Sequence, residues 1–189
     1  MKKIIFKVFG FINKLFYKKS YIKDYKINEF YNLFKLAIFQ KILGFNRHVP
    51  WPVHRTTTVN MPENISLDSR SPGISKYCHL DGRNGISFGK NIWVGPSVKI
   101  ISMNHDVNNY SKYVKSKSII IGDNCWIGAG AIILPGVSLG DHIIVAAGSV
   151  VTKSFEDNDQ IIGGNPAQFI KKLSKYSTDD EEAYKHLNN

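Results

Sequence analysis

The apolar positions between residues 121 and 156 recur at every sixth residue. The segment divides into IGDNCW, IGAGAI, ILPGVS, LGDHII, VAAGSV and VTKSFE, and each hexad begins with Ile, Leu or Val. The fifth position mostly holds a small or medium-sized residue, and the second position holds glycine at Gly122, Gly128 and Gly140. A period of six matches neither the α-helix nor the ordinary β-strand. It is typical of a parallel β-helix, in which each hexad forms a short strand and a turn.

The same period is present upstream, where FGKNIW, VGPSVK and IISMNH begin at Phe88, Val94 and Ile100. Ile100 and Ile121 are 21 residues apart, which is not a multiple of six. The segment 106–118 is therefore predicted to be a loop inserted between two coils. We expect the first residue of each hexad to point into the core, and glycine to supply turn conformations that other residues resist. A solenoid also needs caps, and residues 46–85 and 166–189 are predicted to begin and to close it.

The positive charge of the chain is concentrated in its first 45 residues. The formal net charge is +10, and residues 1–45 contain ten lysines against Asp24 and Glu29. Two hypotheses fit this arm: a helix that packs on the domain or on a partner subunit, or a basic amphipathic helix on an anionic membrane surface. No apolar run approaches the roughly 18 residues of a transmembrane helix. The arm lacks a recognised nucleic-acid-binding motif, so no nucleic-acid partner is predicted.

The two cysteines, Cys78 and Cys125, are too few for a disulfide framework and have no metal-ligand spacing. This usage predicts a reduced, cytoplasmic protein. Cys125 occupies a fifth hexad position and is predicted to be a small, buried side chain.

Several motifs together resemble one family, the left-handed β-helix, hexapeptide-repeat acyltransferases, and within it the galactoside, maltose and polysaccharide O-acetyltransferases. They are NHD (104–106) followed by a loop, IGDNCWIGAGAIILPGVSLGD, AAGSVVTK and GGNPAQFIKK. The resemblance runs from Arg47 to Lys172 and implies an all-β solenoid with an N-terminal helical arm and a short C-terminal helix. The expected divisions are an arm at 1–45, a β-helix domain at 46–172 and a tail at 173–189. The resemblance also implies a homotrimer with active sites between subunits.

The resemblance implies acetyl-CoA as co-substrate, a sugar or glycan as acceptor, and His105 as the general base. A neutral imidazole suits that task because its ordinary pKa is near 6.5. Asn104 and Asp106 flank the base and are candidates for holding the imidazole or the acceptor, although both residue types also favour turns. Asp81 and Asn84 are further acceptor-binding candidates, although the paired asparagines of galactoside-type enzymes are absent there.

The same resemblance supplies candidates for the coenzyme site. It implies an aromatic side chain near the thioester, small residues along the pantetheine arm, and polar or basic groups near the nucleotide. They correspond to Trp126, Ala129, Ala147, Thr152, Lys153 and Lys171. The N–H of Ala129 is a candidate oxyanion donor. Gln168 stands where many relatives carry arginine, so one phosphate contact of the family is missing.

Three alternatives remain open. An N-acyltransferase acting on an amino sugar or nucleotide sugar would share the fold and the coenzyme. A zinc hydratase on the same fold needs three histidine ligands, but His79, His105 and His142 are scattered, so no metal is expected. A non-catalytic β-helix would keep the hexads without needing the NHD loop. If the arm binds lipid, the protein would lie on the inner face of the membrane.

Overall fold

The computed structural model describes residues 11–22, 25, 29–68 and 71–177. Short parallel strands wind into three sheets, which form the three faces of a prism. Successive strands move from face to face, so strands one coil apart become neighbours in the same sheet. The hexad pattern therefore predicted the architecture correctly.

The three faces are named A, B and C. Face A consists of β1 (Thr58–Asn60), β3 (His79–Asp81), β6 (Lys99–Ile101), β11 (Ile132–Ile133) and β14 (Val150–Val151). Face B consists of β2 (Ile65–Leu67), β4 (Ile86–Phe88), β9 (Ile119–Ile121) and β12 (Ser138–Leu139). Face C consists of β5 (Trp93–Val94), β10 (Trp126–Ile127), β13 (Ile143–Val145), β15 (Gln160–Gly164) and the antiparallel β16 (Ala167–Lys172).

The core is a column of side chains inside the prism. The first residues of the six hexads are all buried, as predicted: Ile121, Ile127, Ile133, Leu139, Val145 and Val151. The fifth residues Cys125, Ala131, Val137, Ile143 and Ser149 are buried as well. Burial raises the pKa of the Cys125 thiol to about 12, so this cysteine is a protonated core side chain.

Glycine supplies left-handed turn conformations, as expected, at the fourth hexad positions Gly130, Gly136 and Gly148. The second-position glycines are required for another reason. Gly122 and Gly128 do not adopt a left-handed conformation. A Cβ atom on Gly122 would lie 2.6 Å from the carbonyl carbon of Gly140, and one on Gly128 would lie 2.6 Å from the nitrogen of Ala147. Glycine is required because adjacent coils approach too closely for a side chain. Left-handed conformations occur at other corner positions, such as Asn124 with φ 58°.

The described part of the arm is mostly helical and packs on the first coil. Residues 11–16 are helical, followed by α1 (Lys19–Ile22), α2 (Phe30–Ala37) and a π-helical turn (Ile38–Ile42). Gln40 joins the arm to the prism, since its amide donates to the carbonyls of Val49 at 2.8 Å and Trp51 at 2.9 Å. A short 3₁₀ turn (Pro62–Asn64) lies between β1 and β2.

The inserted segment is an antiparallel hairpin of β7 (Asn104–Asp106) and β8 (Asn109–Val114). It leaves the prism after β6 on face A and returns to β9 on face B, so it projects from the corner between these faces. His105 is part of its first strand, and β8 is exposed throughout.

The last described residues close the C-terminal end. β16 runs antiparallel to β15, and residues 173–177 carry no helix. The rest of the segment expected to hold a short C-terminal helix, 178–189, lies outside the described residues. Among the described residues, no helix is long and apolar enough to cross a membrane.

Candidate active site

Asn84 connects the base of the hairpin to the coil that contains β3 and β4. Its side-chain amide donates to the carbonyls of Ser102 at 3.0 Å and Val114 at 3.1 Å, and to the hydroxyl of Ser116 at 3.0 Å. These three residues flank or end the hairpin strands. The side-chain NH2 group of Asn84 is thus occupied by the hairpin. Only the side-chain carbonyl oxygen is left for the predicted contact with the substrate acceptor.

His105 is exposed on the hairpin and has a defined proton arrangement. Its Nδ1 lies 2.5 Å from the carbonyl oxygen of Tyr110. A carbonyl only accepts hydrogen bonds, so in the neutral ring the proton is on Nδ1. The lone pair is then on Nε2, which is the arrangement a general base requires.

A stack of side chains supports the imidazole. The ring of Tyr113 lies 4.6 Å from that of His105, and the Arg83 guanidinium lies 4.8 Å from the Tyr113 ring. Arg83 is held in turn by Asp81, with 2.9 Å from Nε to Oδ1 and 2.7 Å from Nη2 to Oδ2. Asp81 thereby connects through two side chains to the candidate base.

Asp81 has no exposed side-chain surface, whereas 29% of the Arg83 side chain is exposed. Burial by itself would raise the pKa of Asp81, but the hydrogen bonds and charge of Arg83 hold it below its usual value. The same hydrogen bond raises the pKa of Arg83. Asp81 was predicted to contact the acceptor, yet the group that this corner presents to solvent is Arg83. Sequence reasoning missed Arg83 and Tyr113, although Arg83 stands between the two candidates Asp81 and Asn84.

The two residues beside His105 have different environments. Asp106 accepts from the backbone N–H groups of Asn108 at 2.7 Å and Asn109 at 3.2 Å, so its carboxylate stabilises the hairpin turn. Asn104 is exposed, and its side chain makes no hydrogen bond to any residue that the structure describes. Asn104 therefore has the freer polar group of the two.

Trp126 lies on the outer surface of face C beside a second tryptophan. Trp93 is its direct partner in the neighbouring coil, and each side chain is 55% exposed. With Ile144 and Tyr176 they line a groove of about 370 Å³, here called the tryptophan groove. Tyr176 is held there by a 2.8 Å hydrogen bond from Asn91. Trp93 was missed, although the hexads FGKNIW and IGDNCW both end in tryptophan.

Ala129 and Ala147 occupy equivalent exposed positions at the corner after face C. The carbonyl of Ala129 accepts from Gly148 at 2.8 Å. Within the described parts of the chain, the backbone N–H groups of both alanines have no acceptor. These N–H groups are thus available to the carbonyl groups of a ligand lying along this corner.

Lys153 lies at the C-terminal end of the prism beside Gln168, with 3.3 Å between Nζ and Oε1. A cavity of about 690 Å³ lies there, and its lining includes Lys153, Phe155, Phe169 and Lys172. Thr152 and Lys171 are exposed nearby in sequence, on the corner after β14 and on β16. Glu156 and Asp157 line the same cavity, so its two lysines do not give it an unbalanced positive charge.

One chain does not bring all these candidates together. His105 projects from the corner between faces A and B, whereas Trp126 lies on face C, the face opposite that corner. Chemistry that uses both residues needs a second copy of the chain.

Two further histidines, His79 and His142, serve local structure. His79 is 2.6 Å from the hydroxyl of Thr58, and His142 is 2.8 Å from the carboxylate of Asp159. Across the described ranges, no three His, Cys, Asp or Glu side chains meet in an arrangement that could hold a metal ion. His186 lies outside the described residues.

Comparison with known proteins identifies the repeat. Residues 118–153 match the family model described as the hexapeptide repeat of succinyl-transferase. A galactoside O-acetyltransferase of Lactococcus lactis is 34% identical over 106 residues, which are 53% of this chain and 48% of the relative. The chain spans about half the length of the first curated relatives that it matches.

Solved structures show the same fold. A galactoside acetyltransferase in complex with coenzyme A has a TM-score of 0.52 and 25% identity, over 66% of this chain and 68% of that one. The N-acyltransferase AntD of Bacillus cereus has a TM-score of 0.58 and 22% identity, over 79% and 95%. The fold is therefore the left-handed parallel β-helix of these enzymes.

Proposed function

Because the chain belongs to the hexapeptide-repeat acyltransferase family, we propose that it transfers an acetyl group from acetyl-CoA to a hydroxyl of a sugar or glycan. The observation that carries this proposal is the environment of His105. The carbonyl of Tyr110 accepts the Nδ1 proton, so in the neutral ring Nε2 is the nitrogen that can accept a proton from a hydroxyl.

The reaction follows from these groups. Nε2 of His105 removes the proton of the acceptor hydroxyl as its oxygen attacks the thioester carbonyl. The carbonyl oxygen becomes an oxyanion, and the free N–H of Ala129 donates to it. Collapse of the tetrahedral intermediate breaks the C–S bond, and the protonated His105 returns its proton to the leaving thiolate. The products are an acetyl ester and coenzyme A.

The acting unit in this proposal is a homotrimer. The hairpin of one protomer would cover face C of its neighbour and place His105 against Trp126 and the exposed alanines. The separation of these residues on opposite sides of one prism supports this arrangement.

The donor site can be tested without knowing the acceptor. A ligand present at 100 times its dissociation constant adds about 2.7 kcal/mol to the native state, so acetyl-CoA should raise the midpoint of thermal unfolding. Lys153→Ala and Trp126→Ala should abolish the increase. Lys90→Ala, which removes an exposed lysine, is the matched control. His105→Ala should keep the increase and lose acetyl transfer.

The absence of any increase at millimolar acetyl-CoA would contradict the proposal. A panel of matched hydroxyl and amino sugars then separates the two transferase activities. Transfer to amines alone would favour the N-acyltransferase alternative.

We also propose that the arm contacts an anionic membrane. Phe11 and Leu15 lie one helical turn apart and are 67% and 70% exposed. Lys14, Lys18 and Lys19 are exposed beside them. Exposed apolar groups flanked by lysine are typical of peripheral membrane helices.

Sedimentation with phosphatidylglycerol vesicles tests this contact. Phe11→Asp with Leu15→Asp should release the protein, whereas Tyr31→Asp on the neighbouring helix serves as the control. Deletion of residues 1–45 is a poorer test because it removes Gln40, which joins the arm to the prism. Equal sedimentation of the double variant and the unaltered protein would exclude this surface.

A further inference from the structure

A second cavity, of about 340 Å³, lies between α2 and the first coil. It combines basic groups with an apolar wall, and it is called the basic cavity here. Its lining is Asn32, Lys35, Leu36, Phe39, His54, Arg55 and Ile74. None of these side chains belongs to the candidate catalytic, acceptor or coenzyme residues.

The two cations of the basic cavity, Arg55 and Lys35, lie against aromatic rings. Arg55 lies 5.1 Å over the ring of Phe39, and Lys35 lies 4.3 Å over the ring of Tyr31. In the regions the structure describes, no carboxylate is within ion-pair distance of either cation. Two cations that face aromatic rings instead of acids remain available to an anion.

His54 adds a neutral hydrogen-bond donor to the basic cavity. Its Nδ1 accepts from the backbone N–H of Thr56 at 3.2 Å, so the neutral ring carries its proton on Nε2. Burial, and then the charges of Lys76 and Arg55, lower the pKa of His54. The environment of this ring therefore disfavours a further positive charge.

The basic cavity is linked to the tryptophan groove by shared lining residues. It shares Asn32, Leu36 and Ile74 with an adjoining cavity of about 240 Å³. Trp93 lines that adjoining cavity and also the tryptophan groove. The basic cavity and the tryptophan groove therefore lie on the same side of the molecule, with Glu29 among the residues that line the cavity between them.

We propose that the basic cavity binds a phosphoryl group carried by the acceptor. Arginine and lysine together neutralise a dianion, and the forked guanidinium matches phosphate oxygens. The apolar wall suits the nucleoside or lipid to which a sugar diphosphate is attached. The identification of the ligand as the acceptor rests on the proposed acetyl transfer, whereas anion binding does not.

Calorimetric titration of the full chain with inorganic pyrophosphate, without acetyl-CoA, tests the site. Arg55→Ala and Lys35→Ala should each weaken binding about tenfold, as expected for loss of one charged hydrogen-bond donor. Lys99→Ala removes an exposed lysine from face A and should leave binding unchanged. No binding, or equal binding by Arg55→Ala, would overturn the proposal.

Competition experiments identify the ligand. Pyrophosphate binding that persists at saturating acetyl-CoA supports an acceptor subsite, and displacement by acetyl-CoA would assign the cavity to the coenzyme and overturn the proposal. Vesicles of phosphatidylglycerol distinguish the two sources of phosphate. Displacement of pyrophosphate by vesicles supports a lipid-borne phosphate, and its retention supports a soluble one. Pyrophosphate binding in a protein without acetyl transfer would overturn the proposed function alone.

Discussion

Asp81 and Arg83 form an ion pair in which the carboxylate is fully buried and the guanidinium is partly exposed. Loss of Arg83 would leave the buried carboxylate of Asp81 unpaired, which is far more costly than loss of a surface ion pair. We expect Arg83→Met to lower the free energy of unfolding by about 3 kcal/mol at pH 7. Lys90→Met, which removes an exposed lysine 4.0 Å from Asp68, should cost less than about 1 kcal/mol.

The cost of Arg83→Met should depend on pH. The folded pKa of Asp81 is below its unfolded value, which is near 3.9. The pair therefore stabilises the fold above that value, and its contribution is lost as pH falls through the folded pKa. In the variant, burial without Arg83 raises the pKa of Asp81, so protonation relieves the buried charge. Urea unfolding should be measured at pH 7, 5 and 3.5. The difference in the free energy of unfolding between the unaltered protein and Arg83→Met should decrease as the pH falls, and a constant difference would contradict this explanation.

At the scale of elements, the sequence predicts strands better than it predicts contacts between them. The hexad period predicts the position of each short strand because every first residue must be buried. The break at 106–118 correctly indicates an insertion. Its hairpin form was not predicted, since β8 is exposed on every residue and has no apolar alternation to detect.

The residues of the candidate site that could be predicted are those that belong to short, contiguous motifs. His105 and Trp126 belong to motifs that are contiguous in sequence. The stack of Arg83 and Tyr113 joins residues 30 positions apart through a guanidinium and a ring. Asn84 likewise bonds to Ser116 across 32 positions. Such contacts depend on how the coils stack, which no single segment encodes.

At the scale of the whole molecule, the proposed trimer predicts complementation between inactive variants. His105→Ala and Trp126→Ala protomers should each be inactive alone, because every site lacks one group. In an equal mixture assembled from unfolded chains, a quarter of the interfaces would combine an intact histidine with an intact tryptophan. About one quarter of the normal activity per site should return, as a statistical consequence of cyclic closure. No recovery would indicate that both residues act within one protomer.

The spacing of the coils allows the length of the inserted hairpin to vary. From Ile132 to its partner Val150 the chain advances 18 residues, and from Lys99 to Ile132 it advances 33. The extra 15 residues accommodate the hairpin, and the coils before and after it still pair in register. The hairpin is therefore a separable module, and a hairpin of another length could be grafted there without disturbing the coils. Under the proposed acetyl transfer, such grafts would let acceptor preference diverge while the coils proposed to bind the coenzyme keep their stacking.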